Sequence, residues 1–178
     1  GLLVDYARGL GIDALGVEPS ASLASLAQEL DRPVVEGRWP LPAYEDRRFE
    51  VVTLVDVIEH VSDPVGLLET MADALEPDGA MLVITPDLGS PVARLLGGAW
   101  WHFRMAHVGY FTNATFHLAA ANAGLRVADQ WWTSWRFPVR YLAARVDRYL
   151  PIGSVEGVLA RSGIGRRLAE QIVPLQLF

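Results

Sequence analysis

An α/β fold built on a doubly wound, mostly parallel sheet is predicted by three neighbouring stretches. Val51, Val52, Leu54 and Val55 make a short, β-branched apolar run, as expected for a strand covered on both faces. Asp63-Pro64 then supplies a helix cap and a first helical residue, and Leu68, Met71, Ala72 and Leu75 follow at helical spacing. The helix is expected to stop at Glu76-Pro77-Asp78-Gly79, with a strand over residues 80–85. Strand, helix and strand so punctuated form a right-handed βαβ unit, and such sheets bind ligands at the carboxyl ends of their strands. Function is therefore sought around residues 56–60.

The other elements read in order. Leu2, Leu3, Tyr6, Ala7 and Leu10 recur at helical spacing and Gly11 caps them, so the chain opens inside a helix. Residues 14–18 form a short strand ending in Glu18, followed by a helix with Leu23, Leu26, Ala27 and Leu30 inward. Residues 33–36 form a second strand, and the Gly- and Pro-containing residues 37–48 cross to the central strand. Ser90-Pro91 opens a short helix ending near Gly97-Gly98. Residues 99–112, rich in aromatics and histidine without clean periodicity, are expected to form a lid or pocket wall. A helix from Asn113 buries Phe116, Ala119, Ala120 and Ala123 and ends at Gly124. Residues 125–132 and 138–144 are expected as two antiparallel strands joined by residues 133–137, with helical pattern beyond Arg145 broken at 151–153 and 163–165.

Composition narrows the function. A chain of 178 residues with 51% hydrophobic content can build a real core. Its net charge of -6 offers no basic field for nucleic acid, so no such partner is expected. All 15 basic residues are Arg, which removes Schiff-base chemistry and a phosphate-loop lysine. The absence of Cys removes thiol nucleophiles, thiolate zinc sites and disulfides. No window reaches about 18 uninterrupted apolar residues, so no spanning helix, membrane partner or signal peptide is expected, and the protein is placed in the cytoplasm.

Several motifs together resemble a known family. They are Gly1-Leu2-Leu3-Val4-Asp5, Gly16-Val17-Glu18-Pro19-Ser20, Val57-Ile58-Glu59-His60-Val61, Leu75-Glu76-Pro77-Asp78-Gly79, Thr85-Pro86-Asp87 and His107-Val108-Gly109-Tyr110-Phe111-Thr112. In this order they resemble the class I S-adenosylmethionine-dependent methyltransferases, in the small-molecule branch that includes the ubiquinone-biosynthesis O-methyltransferases. The resemblance runs from Gly1 to about Ala144. It implies a Rossmann-like sheet with an antiparallel C-terminal strand, a core over 1–145 and a helical extension over 146–178. It also implies that the family's first strand and its glycine-rich turn lie immediately before Gly1. The chain is expected to be truncated there, to lack that strand and to bind the cofactor weakly by itself.

The resemblance carries over to individual residues. Gly1 matches the last glycine of the turn beside the methionine end of S-adenosylmethionine. Glu18, at a strand tip, matches the acid that accepts hydrogen bonds from both ribose hydroxyls. Where the family has a Gly-Asp pair for the adenine amino group this chain has Gly37-Arg38, which leaves Trp39 either to stack on adenine or simply to pack. Asp56 suits the cofactor's ammonium group or a loop-fixing role. His60 is expected to be a structural hydrogen-bonder, while His107 is the candidate base, its alternative being a packed loop residue. His102 and His107 are spaced wrongly for one helical face and lack nearby acids in sequence, so no metal site is expected.

The function implied is methyl transfer to a small-molecule acceptor. A non-catalytic binding or scaffold domain on the same fold is the alternative, and a nicotinamide-binding oxidoreductase a third, since Glu18 would also suit a NAD ribose.

Overall fold

A computed structural model describes residues 1–132, 134–140, 143, 144, 147, 154, 157, 161 and 172–176. The chain divides into two compact units, the first comprising Gly1–Leu54 and Val65–Val83, the second Val55–Pro64 and Ile84–Phe178. The element order is α1 (Leu2–Gly9), β1 (Gly16–Glu18), α2 (Ala21–Glu29), β2 (Val34–Glu36), β3 (Phe49–Val55), α3 (Pro64–Ala72), β4 (Leu75–Ile84), α4 (Pro91–Leu96), α5 (Asn113–Asn122), β5 (Ser134–Pro138) and β6 (Ile172–Gln176). No helix among the described residues is long and apolar enough to cross a membrane.

In the first unit β1 and β2 run parallel with Gly16 opposite Val34 and Glu18 opposite Glu36. Helix α2 packs on this pair through Ala24 and Ala27, both buried. The leucines expected inward, Leu23, Leu26 and Leu30, are instead 54%, 52% and 53% exposed. Only small side chains fit between α2 and so short a pair of strands; Gly16 shows the same closeness, since a Cβ there would meet Val4 at 3.1 Å and Val34 at 3.2 Å. Helix α1 likewise buries none of its residues.

Strands β3 and β4 pair with each other. Phe49 N–H donates to Ala74 O at one end and Asp56 N–H to Ile84 O at the other, so the two run in the same direction. The βαβ unit therefore forms as expected, with two corrections. Helix α3 stops at Ala72, and β4 starts at Leu75 instead of Ala80, carrying Glu76-Pro77-Asp78-Gly79 inside the strand. Gly79 permits this, because its α-carbon lies against backbone where a Cβ would come within 3.0 Å of the carbonyls of Glu76 and Phe49. Second, β3 is not covered on both faces: Leu54 is buried but Val51 is 59% exposed.

The expectation that all strands share one sheet is not met. The described residues form three two-stranded sheets, β1-β2, β3-β4 and β5-β6. Among the described residues β1 and β3 are not hydrogen-bonded to each other, and the family resemblance places a further central strand between them.

In the second unit the expected helix starts hold. Ser90 Oγ accepts from Ala93 N–H to cap α4, and Thr112 with Thr115 forms a reciprocal capping box on α5. Ala119, Ala120 and Ala123 are buried, and Gly124 closes α5 at φ 72. The C-terminal strands differ from expectation. Residues 125–132 contain no strand; β5 instead takes up residues 134–138, expected as the connection. Val139, Arg140, Ala143 and Ala144 are helical, and the antiparallel partner of β5 is β6, with Ser134 opposite Gln176. Ile172-Val173-Pro174-Leu175 is a short apolar run that periodicity cannot assign to helix or strand, which only the pairing decides. The breaks expected at 151–153 and 163–165 lie outside the described residues.

Gly79 gives the fold a direct test. Gly79→Ala should lower stability to urea by about 1–3 kcal/mol, because carbonyls on two strands would have to move. Gly98→Ala should be near neutral, since nothing lies within 4 Å of its Cβ position.

Candidate functional site

In the second unit the carboxyl end of β3 runs directly into a set of ionisable side chains. Asp56 follows the strand with φ 51, a left-handed conformation that costs most non-glycine residues strain and that Asp tolerates better than most. Its side chain reaches solvent yet is packed on one side. That partial desolvation, reinforced by the Glu59 carboxylate, pushes its carboxyl up from the ordinary 3.8, while His60 and Arg104 pull the other way.

The chain then makes a 3-10 turn over Ile58–His60. Ile58 is wholly buried and anchors the turn, and Glu59 beside it is buried too, at 1% exposure. A buried carboxylate needs partners, and Glu59 has half of them: Thr85 Oγ1, just past β4, donates to Oε2 at 2.9 Å. Oε1 is buried with no partner among the described residues. The main chain of the turn is busier. Glu59 O accepts from Val108 N–H at 2.9 Å and Gly109 N–H at 3.1 Å. His60 Nδ1 lies 2.7 Å from Ala106 O, and because a carbonyl only accepts, that nitrogen carries the proton.

These three bonds clamp residues 106–109 to residues 59–60 and set the His107 ring edge-on against the His60 ring, with centroids 4.6 Å apart. His107 is half-buried, and its Nδ1 is buried with no partner among the described residues. Desolvation, then the neighbouring His60, lowers its basicity below the ordinary 6.5, with Glu59 opposing and Arg104 assisting. A carboxylate oxygen of Glu59 and one ring nitrogen from each of His60 and His107 lie within 4.8 Å of one another, a spacing that could surround a cation.

The aromatic segment is less a lid than a mounting. Trp100 is 1% exposed, with His102, Phe103 and Tyr110 around it at ring-centroid distances of 5.0, 5.3 and 6.3 Å. Tyr110 Oη donates to His102 O, and Leu88 N–H to Phe111 O, which ties both ends of the segment down.

The structure thus brings Asp56, His60 and His107 together, and adds Glu59. The sequence reading found His107 poor in nearby acids; folding corrects that, since Glu59 is 48 positions away in the chain and adjacent in space. The signal for Glu59 was its place in the Val57-Ile58-Glu59-His60-Val61 motif, which carried the resemblance without giving the acid a role.

The other candidates belong to the first unit. Glu18 ends β1, and its Oε1 accepts from Ser20 N–H at 2.9 Å, which orients the carboxylate and leaves Oε2 for a ligand. Trp39 is fixed by Nε1–H donating to Thr70 O at 3.2 Å and an edge contact with Phe49, and it lines a cleft of about 380 Å³ with Tyr44, Arg48 and Asp73. Gly1 precedes α1 and its carbonyl accepts from Asp5 N–H.

Comparison with known proteins bears on this arrangement. A family model described as a methyltransferase domain matches residues 1–130. Curated relatives include ubiquinone biosynthesis O-methyltransferases of Bradyrhizobium sp. (strain ORS 278) and Rhodopseudomonas palustris (strain BisA53), 33% and 32% identical over 114 residues. That alignment covers 61% of this chain and 41% of each relative, so the chain spans about two-fifths of their length. A solved structure from Thermotoga maritima, titled a SAM-dependent methyltransferase and possible histamine N-methyltransferase, aligns at TM-score 0.55 and 25% identity over 67% of this chain and 57% of that one. The YcgJ protein of Bacillus subtilis aligns at TM-score 0.54 and 19% identity over 86% of this chain and 70% of its own, a likeness of fold alone. With βαβ geometry, the strand-end acids and a family match over residues 1–130, this chain belongs to the methyltransferase domain family.

Proposed function

We propose that the protein transfers a methyl group from S-adenosylmethionine to a phenolic oxygen of a small acceptor, with His107 as the base that takes the acceptor's proton. The observation that carries this reading is the clamped His107: a ring held by its neighbours' backbone, kept neutral by desolvation, beside the end of β3. The bound cofactor supplies an electrophilic methyl group on a sulfonium. The residues present fit such a cation-bearing ligand. Burial, and after it the Glu59 carboxylate, raises the cost of ionising Asp56, and a positive group near Asp56 would relieve it.

Within this reading Glu18 receives ribose hydroxyls on Oε2, Trp39 packs against the adenine, and Gly1 adjoins the methionine end. His107, neutral at physiological pH, accepts the hydroxyl proton as the acceptor oxygen gains nucleophilicity. The remaining catalysis is orientation, which can contribute about 7–11 kcal/mol. The relatives' name supports oxygen as the methylated atom and an aromatic acceptor. No nucleic-acid or membrane partner enters the reading, and the cysteine-free composition suits the cytoplasm.

Three measurements test it. Glu18→Gln should weaken S-adenosylmethionine binding in calorimetry by roughly tenfold or more, the loss of one hydrogen bond to a charged acceptor; unchanged affinity removes Glu18 from the site. With 3,4-dihydroxybenzoate as acceptor, His107→Gln should slow methyl transfer by about a hundred- to ten-thousandfold at unchanged cofactor affinity. In the wild type kcat/KM should rise with pH through a limb lying below 6.5, because the free base loses its proton more readily than an ordinary histidine. A mutant with wild-type rates across that range rejects the base, and absence of any methyl transfer with cofactor bound favours the non-catalytic alternative.

A further inference from the structure

We propose that Arg104 selects the acceptor: its guanidinium, on the same turn as His107, pairs with an acidic group carried on the acceptor's ring, so that the substrate class is an aromatic hydroxy acid. The inference rests on the reading that a phenolic acceptor meets His107, and it adds a specificity-determining residue to that reading.

Arg104 and His107 are the first and last residues of one tight turn, closed by His107 N–H donating to Arg104 O at 3.0 Å. A turn of this kind keeps its end α-carbons within about 7 Å of each other. A benzene ring with a hydroxyl on one side and a carboxylate on the other has a length of that order, so a single acceptor can meet both side chains. Phe103, Met105 and Val108, beside the same turn, are exposed and offer apolar surface to the ring.

Although exposed, Arg104 is tethered at three points. Its N–H donates to Tyr110 Oη at 3.2 Å, its carbonyl accepts from His107, and its side-chain Nε donates to Trp101 O at 3.2 Å. A surface arginine with nothing to meet keeps its rotamer freedom; here the stem is fixed and the far edge of the fork is left over. Nη1 and Nη2 make no hydrogen bond or ion pair among the described residues. The charge is not spent on Asp56 either, which senses it without forming an ion pair, and His107 senses it as well. A planar fork with its Nη edge free suits a carboxylate, which it can meet through two parallel N–H···O bonds. An aromatic hydroxy acid therefore complements all three features: its acidic group the guanidinium, its hydroxyl the His107 ring, its benzene ring the apolar side chains. A neutral phenol would leave the fork to water and gain none of that pairing.

The deciding measurement is calorimetry at saturating S-adenosylhomocysteine, comparing 3,4-dihydroxybenzoate with catechol, the same ring without the carboxylate. The wild type should bind the acid about tenfold more tightly, as a hydrogen-bonded charge pair predicts. Equal affinities, or no binding of the acid, overturn the proposal, and no variant is needed to see it. In Arg104→Gln the preference should vanish through lost affinity for the acid alone, and Arg104→Lys, which keeps the charge but not the fork, should fall between. Affinity for S-adenosylhomocysteine should be unchanged in both variants. A tenfold drop there means that Arg104 holds the cofactor's own carboxylate, and a parallel loss for both acceptors means that it only supports the segment; either result overturns the proposal. Binding and turnover keep the two readings apart. If the acid binds through Arg104 while His107→Gln retains full rate, the selectivity stands and the base reading falls; if His107→Gln is slow while wild type binds acid and catechol alike, the base stands and Arg104 has no part in selection.

Discussion

The carbonyl oxygen of Glu59, accepting two backbone N–H groups from Val108 and Gly109, is the constraint on which the site depends. Residues 99–112 have no regular secondary structure to satisfy their backbone, and a buried unpaired N–H costs about 1–3 kcal/mol. By offering one carbonyl to two donors, and by presenting His60 to a third group at Ala106, the 3-10 turn supplies what a strand or helix would otherwise supply. The His107 ring is positioned as a consequence of backbone accounting. Trp100 does the same for the opposite end of the segment by hydrophobic burial, with rings stacked edge to face around it.

Electrostatics at the strand end follow from that geometry. Asp56 and Glu59 lie three residues apart across a tight turn, and burial followed by the Glu59 carboxylate makes Asp56 harder to ionise. Burial, and after it the neighbouring His60, likewise makes the His107 ring harder to protonate. The left-handed backbone at Asp56 belongs to the same arrangement, because it turns the chain out of β3 and into the 3-10 helix.

The first unit shows what a partial sheet does to packing. Where β1 and β2 pair, small residues on α2 close against them and the core is real at Ala24, Ala27 and Val34. Where hydrogen bonding stops, large side chains lose their cover: Val51 on β3 and Leu23, Leu26 and Leu30 on α2 stay in contact with water. The surface ion pairs of this unit, Arg32 with Asp5 and Arg47 with Asp13, are exposed and add little to stability.

Local chemistry determined much of this protein from the sequence alone. Pro64 and Pro91 start helices because proline suits a first helical residue, Gly11 and Gly124 end them in the left-handed conformation, and the β-branched Val51, Val52 and Val55 favour a strand. Each is a short-range preference written into adjacent residues. What the tertiary structure decided was everything that depends on distant partners. Periodicity marked the leucines of α2 as apolar but could not say whether anything would cover them. The run at 125–132 read as a strand and the residues beyond Arg145 as helical, yet it is residues 172–176 that pair with residues 134–138. Glu59 and His107 are unremarkable 48 positions apart; a carbonyl with two donors makes them neighbours, because buried backbone groups must be satisfied wherever the chain can reach a partner.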